Sequence, residues 1–213
     1  GGLEHYTWVF TAFLLTSTAG VPVFGKLSDL YGRKWFYVGG MLGFMLGSAL
    51  CGQAQTMTQL IVFRALQGIA GGILTANAFA IIGDLFPPAE RGKWQGLTGG
   101  VFGLASVVGP LLGGWLTDGP GWRWVFYVNL PVGALGAVVL AYGLPHARPH
   151  GRGPADWWGA ATIVAASAAL LLAFSWGGGV YAWRSPQIVG LLALAAALVV
   201  AFLYAERRAV EPI

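Results

Sequence analysis

Apolar residues in this chain run in long uncharged blocks, 5–25, 35–63, 95–117, 124–147, 157–183 and 185–205. Each reaches or exceeds the roughly 20 residues that a helix needs to cross a hydrocarbon core. The second block continues past Arg64 to Gly83 and is broken by polar residues at 53–58, so it holds two crossings. The pattern predicts seven helical spans, at about 6–24, 35–53, 59–83, 95–117, 124–144, 157–177 and 186–205. Barrel strands would be half as long and alternating, which is not the pattern here. The expected fold class is an all-α polytopic membrane protein without a separate soluble domain.

Composition agrees: 56% of residues are hydrophobic, 9% are charged and the mean hydropathy is +0.68. A net charge of +4 would suit a nucleic-acid partner, but the position of the bases excludes that reading. Lys26, Arg33, Lys34, Arg91, Lys93, Arg148, Arg152, Arg207 and Arg208 fall in alternate connections that share one side, whereas only Arg123 and Arg184 fall on the other. This bias places the N-terminus outside, the C-terminus inside and the basic connections in the cytoplasm. The ten tryptophans lie at or near span ends, where an amphipathic indole meets the headgroups. Cys51 is the single cysteine, so no internal disulfide forms.

The chain starts at Gly1 without methionine or a charged leader, and the expectation is a fragment with at least one helix preceding it. The organisation expected is 1–145 as five spans of a larger helical half, 146–156 as a cytoplasmic linker and 157–213 as two additional spans.

Candidate chemistry is sparse. Arg64 is the one charge well inside a span, and an ionisable residue at that depth is either functional and in need of a partner or a snorkelling, structural arginine. Gln67, Gly68, Gly71 and Thr75 share its face, and no acidic residue lies mid-span to pair with it. Thr7, Thr11 and Thr18 recur on one face of the first span; they line a water-filled path or bond back to their own helix. The connection GKLSDLYGRK at 25–34 sets Asp29 and Arg33 one helical turn apart, as a latch or as a solvated turn. PPAERGKW at 87–94 reads as a solvated inside loop, and His146 and His150 lack the further ligands that a metal site needs. Gly39, Gly43 and Gly47, and Gly68 and Gly72, recur at four-residue intervals, as close helix packing requires. Gly96, Gly99, Gly100, Gly103, Ser106, Gly109, Pro110, Gly113 and Gly114 crowd one face of the fourth span, which predicts a tightly packed helix bent at Pro110.

Taken together, these motifs resemble the major facilitator superfamily, and within it the drug:proton antiporters of the fourteen-span branch. The loop motif G-x-L-[AS]-D-x-x-G-R-[KR] matches Gly25, Leu27, Ser28, Asp29, Gly32, Arg33 and Lys34. The motif R-x-x-Q-G matches Arg64, Gln67 and Gly68, and the antiporter motif matches Gly96, Gly109, Pro110, Gly113 and Gly114, with Ala105 in place of a usual glycine. The run WRWVFYVNLPVG at 122–133 resembles the start of the sixth helix, and SWGG at 175–178 resembles the two extra spans. The resemblance covers essentially the whole chain as spans two to eight, and implies that the first helix and the C-terminal half lie outside it.

It further implies proton-coupled efflux of small amphipathic or cationic molecules by alternating access across the cytoplasmic membrane. The proton gradient would supply the energy, with no cofactor and no metal. Asp29, Arg33 and Arg91 would form a cytoplasmic charge network, and Arg64 would take part in proton coupling. The helix of Gly109 and Pro110 would control the interface between halves. The partners expected are a small-molecule substrate, the lipid bilayer and the remainder of the polypeptide. A metabolite transporter of the same superfamily is the nearest alternative. A seven-helix retinal-type sensor would need a lysine in its last spans, yet the last lysine is Lys93; a membrane enzyme would need an acid, base or metal cluster that these spans do not offer.

Overall fold

The computed structural model describes residues 6–145 and 156–207. It is helical throughout its long elements: α1 Tyr6–Tyr31, α2 Arg33–Gln53, α3 Met57–Leu85, α4 Pro88–Asp118, α5 Trp124–Tyr127, α6 Asn129–Gly143, α7 Trp157–Trp176 and α8 Pro186–Glu206. Counting α5 and α6 as one crossing, seven helical segments are long and apolar enough to span a bilayer. This is a multi-pass membrane protein.

Local chemistry sets the ends. Thr56 Oγ1 accepts from the Gln59 amide at the start of α3, Asp156 Oδ1 from Gly159 at α7, and Ser185 Oγ from Ile188 at α8. Each supplies an acceptor for one of the amides that the first helical turn leaves unpaired. Prolines at positions 88 and 186 occupy the first turns of α4 and α8, where a missing N–H costs nothing.

Two predicted connections are largely helix. The expected loop 25–34 is the last turns of α1, and a single residue, Gly32 at φ 98°, separates α1 from α2. Only glycine adopts that backbone without strain. Likewise, the expected loop 87–94 is the first two turns of α4, so Glu90, Arg91 and Lys93 are helical. Hydropathy marks where the apolar stretch stops, but a helix continues through charged residues once it reaches water. In the predicted span 124–144 the hydrogen-bond ladder is interrupted at Val128, whose backbone stays helical at φ -58° and ψ -25°. Pro131 has no amide to donate to the Tyr127 carbonyl, which removes one rung there.

The core is the α1–α2–α3 cluster, with α3 packed most extensively against α1 and then α2. Helix α6 lies on α2, and the α7–α8 hairpin is attached through α7 to α1. Gly47 lets α2 approach so closely that an added Cβ would sit 2.8 Å from Gln67 Cα. The tight packing expected of α4 is not met within the described residues. The helix runs unbroken through Pro110, touches only α3 and α5, and has Leu116 as its one buried residue. Gly96, Gly99, Gly100, Gly103, Gly109, Gly113 and Gly114 all face open space. A small-residue face permits close packing; it packs only where a neighbour exists.

Candidate functional site

At the centre of the bundle, Gly68 brings α3 against α1. A Cβ there would lie 2.5 Å from the Phe13 carbonyl oxygen and would overlap Thr16 Oγ1. Thr16 is fixed by donating to Ala12 O and, across the seam, to Ala65 O, each at 2.9 Å. Beside this contact Arg64 reaches back over α1. Its Nε donates to Val9 O at 3.1 Å and its Nη1 to Gln67 Oε1 at 2.6 Å. Gln67, 1% exposed, donates in turn from Nε2 to Ser48 Oγ at 2.5 Å, and Cys51 Sγ lies 3.8 Å from Gln67 Oε1. The guanidinium carbon sits 4.1 Å from the Phe13 ring centroid and 5.9 Å from that of Phe126.

Arg64 is therefore held among neutral acceptors and aromatic faces, with no ion pair among the described residues. Such an arrangement offsets part of the cost of placing a cation at membrane depth. It borders a cleft of about 310 Å³ lined by Tyr6, Val9, Phe10, Phe44, Arg64, Gln67, Val125, Phe126 and Asn129. Aromatic walls with one cation and two amides can hold a small molecule that is largely apolar and carries a few polar groups.

The structure brings Arg64, Gln67 and Gly68 together, but not Thr11 and Thr18. Thr11 is buried toward the hairpin, with Oγ1 3.4 Å from Ser175 Oγ on α7, and Thr18 is exposed. Spacing placed these threonines on one face without saying what that face meets. The threonine at the site is Thr16, whose register falls on α3 instead. Ser48 and Asn129 were also passed over. Each is a lone polar residue within an apolar block, which was the available signal.

A second cluster lies at the end of the bundle where the basic residues gather. Arg33 Nη2 is 2.8 Å from Asp29 Oδ1, and Arg33 Nε is 3.0 Å from Asp84 Oδ2. Asp29 alone was the expected acidic partner. Asp84 closes the cluster because α3 runs to Leu85, which carries it past the apolar stretch. Arg91 does something different from the expected ion pairing: Nη2 and Nε donate to Gly83 O at 2.7 Å and Phe86 O at 3.1 Å. These are carbonyls that the end of α3 leaves open, and a cation there also suits the helix dipole. Lys34, 8% exposed, does the same for α6 by donating from Nζ to Leu144 O at 2.7 Å. Gly25 has nothing within 4 Å of an added Cβ, so its place in the motif is not explained by packing among the described residues. His146 and His150 lie outside the described residues, and no group of three metal-ligating side chains occurs among those described.

Arg33 thus lies between two acids where α1, α2 and α3 meet, and Arg64 pairs with Gln67 between them. The profile of the Major Facilitator Superfamily matches residues 2–158. The chain belongs to this superfamily. Multidrug resistance protein 3 of Bacillus subtilis is 49% identical to this major facilitator chain over 213 residues, the whole chain and 42% of that protein. Multidrug transporter protein MdtP of the same organism is 51% identical over 213 residues, 39% of its own length. Efflux pump FUS6 of Gibberella moniliformis is 36% identical over 207 residues, covering 92% of this chain and 37% of the pump. The chain thus spans about two fifths of the length of these relatives.

Proposed function

We propose that this chain is part of an efflux transporter that moves small amphipathic molecules across the cytoplasmic membrane in exchange for protons. The observation that carries the reading is the extent of the likeness: relatives named as multidrug transporters align with all 213 residues, through every described helix. The basic end of the bundle, with Arg33, Asp29, Asp84, Arg91 and Lys34, faces the cytoplasm, following the bias in basic residues. The Arg64 cleft is one wall of the substrate path, and the remaining wall belongs to polypeptide outside this chain. No nucleotide or other cofactor enters the scheme; the proton gradient supplies the energy.

Within it, Arg64 has the chemistry of a coupling residue rather than a proton carrier. A guanidinium stays protonated, so what it contributes is a fixed positive charge beside the path, set by Val9 O and Gln67. That charge favours deprotonation of a nearby carboxylic acid and is offset when a carboxylate pairs with it. No acid among the described residues lines the cleft, so the carrier acid would approach from elsewhere in the protein. Arg33, clasped by Asp29 and Asp84, ties the ends of α1, α2 and α3 in the captured state, and its release would loosen that end.

The test is Arg64→Ala in the full-length protein, assayed in everted membrane vesicles by substrate flux with and without an imposed proton gradient. Gradient-driven flux should fall to the background of vesicles without transporter, while the protein remains in the membrane. Undiminished gradient-driven flux would show that Arg64 has no coupling role, and absence of flux in the unaltered protein would remove the efflux reading itself.

A further inference from the structure

The cleft beside Arg64 has a feature that neither the motifs nor the coupling chemistry uses. Asn129 opens α6 immediately after the break at Val128 and lines the cleft together with Arg64 and Gln67. Its Nδ2 leans on Val125 O of the preceding turn at 3.4 Å, the long limit of a hydrogen bond, and its Oδ1 has no hydrogen-bond partner among the described residues. Asn129 is half-buried, and its Oδ1 is available to a molecule in the cleft. Across the cleft, Arg64 uses Nε and Nη1 for the protein, and Nη2 has no hydrogen-bond partner among the described residues. The rings of Phe10, Phe44 and Phe126 line the same cleft. No acidic side chain among the described residues lines the cleft.

We propose that Asn129 is a substrate-contacting, specificity-determining residue: its amide oxygen accepts a hydrogen bond from an aromatic molecule held among these rings, whose own acceptor meets Arg64. The ligand class follows from the lining. Aromatic walls favour a flat, apolar body; Arg64 favours a carbonyl or similar acceptor; the free amide oxygen requires a donor at another edge. The cleft volume of about 310 Å³ accommodates a fused two-ring molecule. This inference rests on the reading of the cleft as one wall of the substrate path.

Umbelliferone has a ring carbonyl and a phenolic hydroxyl, and herniarin is the same molecule with the hydroxyl methylated, so the pair differs in one donor. Binding of each to the purified full-length protein in nanodiscs is followed by probe fluorescence, at a pH where the phenol is neutral. The unaltered protein should prefer umbelliferone, and Asn129→Leu should weaken umbelliferone by about three- to tenfold, the worth of one hydrogen bond, with herniarin unchanged. Asn129→Ser, which keeps an acceptor, should retain part of the preference. Equal weakening of both probes in both variants would mean that Asn129 holds the helix break and does not touch the ligand. No preference in the unaltered protein, or no binding of either probe, would also overturn the assignment. Gradient-driven flux of the same probes in proteoliposomes reads the transport function separately: discrimination in binding without flux would locate the failure in the efflux reading and not in Asn129.

Discussion

At the scale of single residues, the centre of the protein depends on what is absent at position 68 as much as on what is present at 64. Gly68 gives α1 the room to bring Val9 O within 3.1 Å of Arg64 Nε, and Thr16 bonds across the same seam. In Gly68→Val, the new methyls would meet Phe13 backbone and Thr16, and the helices would have to separate. The expected cost is about 2 kcal/mol, read as a lower unfolding temperature of the purified full-length protein in detergent. Gly25→Ala is the matched control, since its Cβ meets nothing within 4 Å and its backbone is helical. It should be neutral or stabilise by about 0.5 kcal/mol. Equal effects at the two positions would mean that the α1–α3 seam is not as close as described. The motif residues were legible one by one, but their partners were not. Asp84 is 51 positions from Arg33 and Ser48 is 19 from Gln67, and nothing in local spacing specifies such pairs.

At the scale of elements, the helices are longer than their apolar stretches, and the reason differs from end to end. Helix α1 continues through Lys26 and Asp29 until Gly32 turns it, whereas α4 begins as soon as Pro87 permits. Pro131 has the opposite effect and divides one predicted span into α5 and α6. Pro131→Ala should restore the bond from residue 131 to the Tyr127 carbonyl and join the two helices. Amide exchange at 130–133 should slow by roughly fivefold, equivalent to about 1 kcal/mol for one hydrogen bond. Exchange that stays as fast as in the unaltered protein would show that the break has another cause. Helix α4 illustrates a limit of reading small residues: its glycine face was plain in the sequence, but whether that face packs depends on a neighbour, and among the described residues it has none.

At the scale of the whole molecule, contacts sort the connections into two ends. Lys34 meets Leu144 O, and Arg33 meets Asp84, at one end; Arg123 Nη2 donates to Ala54 O at 3.0 Å, and Trp8 packs edge-on against Trp176 at 5.9 Å, at the other. These pairings join connections that an alternating path through seven spans would place on the same side. Which end faces the cell interior is a separate matter, and single-cysteine labelling tests it. Tyr31 and Val180 are 69% and 67% exposed at opposite ends, and the native Cys51 is fully buried and so silent. In intact cells, an impermeant maleimide should label Val180→Cys and leave Tyr31→Cys unreacted until the membrane is opened. The reverse pattern would invert the orientation, and with it the direction assigned to transport.

The number of crossings, their alternation and the motif positions were determined by the sequence alone, because each depends on local quantities: the length of an apolar run, the charge of a connection, the spacing of residues on one helix. Tertiary structure decided which helix faces meet. It sent Thr16 instead of Thr11 to the Arg64 region, gave Arg33 a second acid in Asp84, turned Arg91 and Lys34 into caps for the ends of α3 and α6, and set Asn129 beside Arg64. Those outcomes depend on helix rotation and close approach, which arise from packing between segments far apart in the chain and leave no mark in the periodicity of either one.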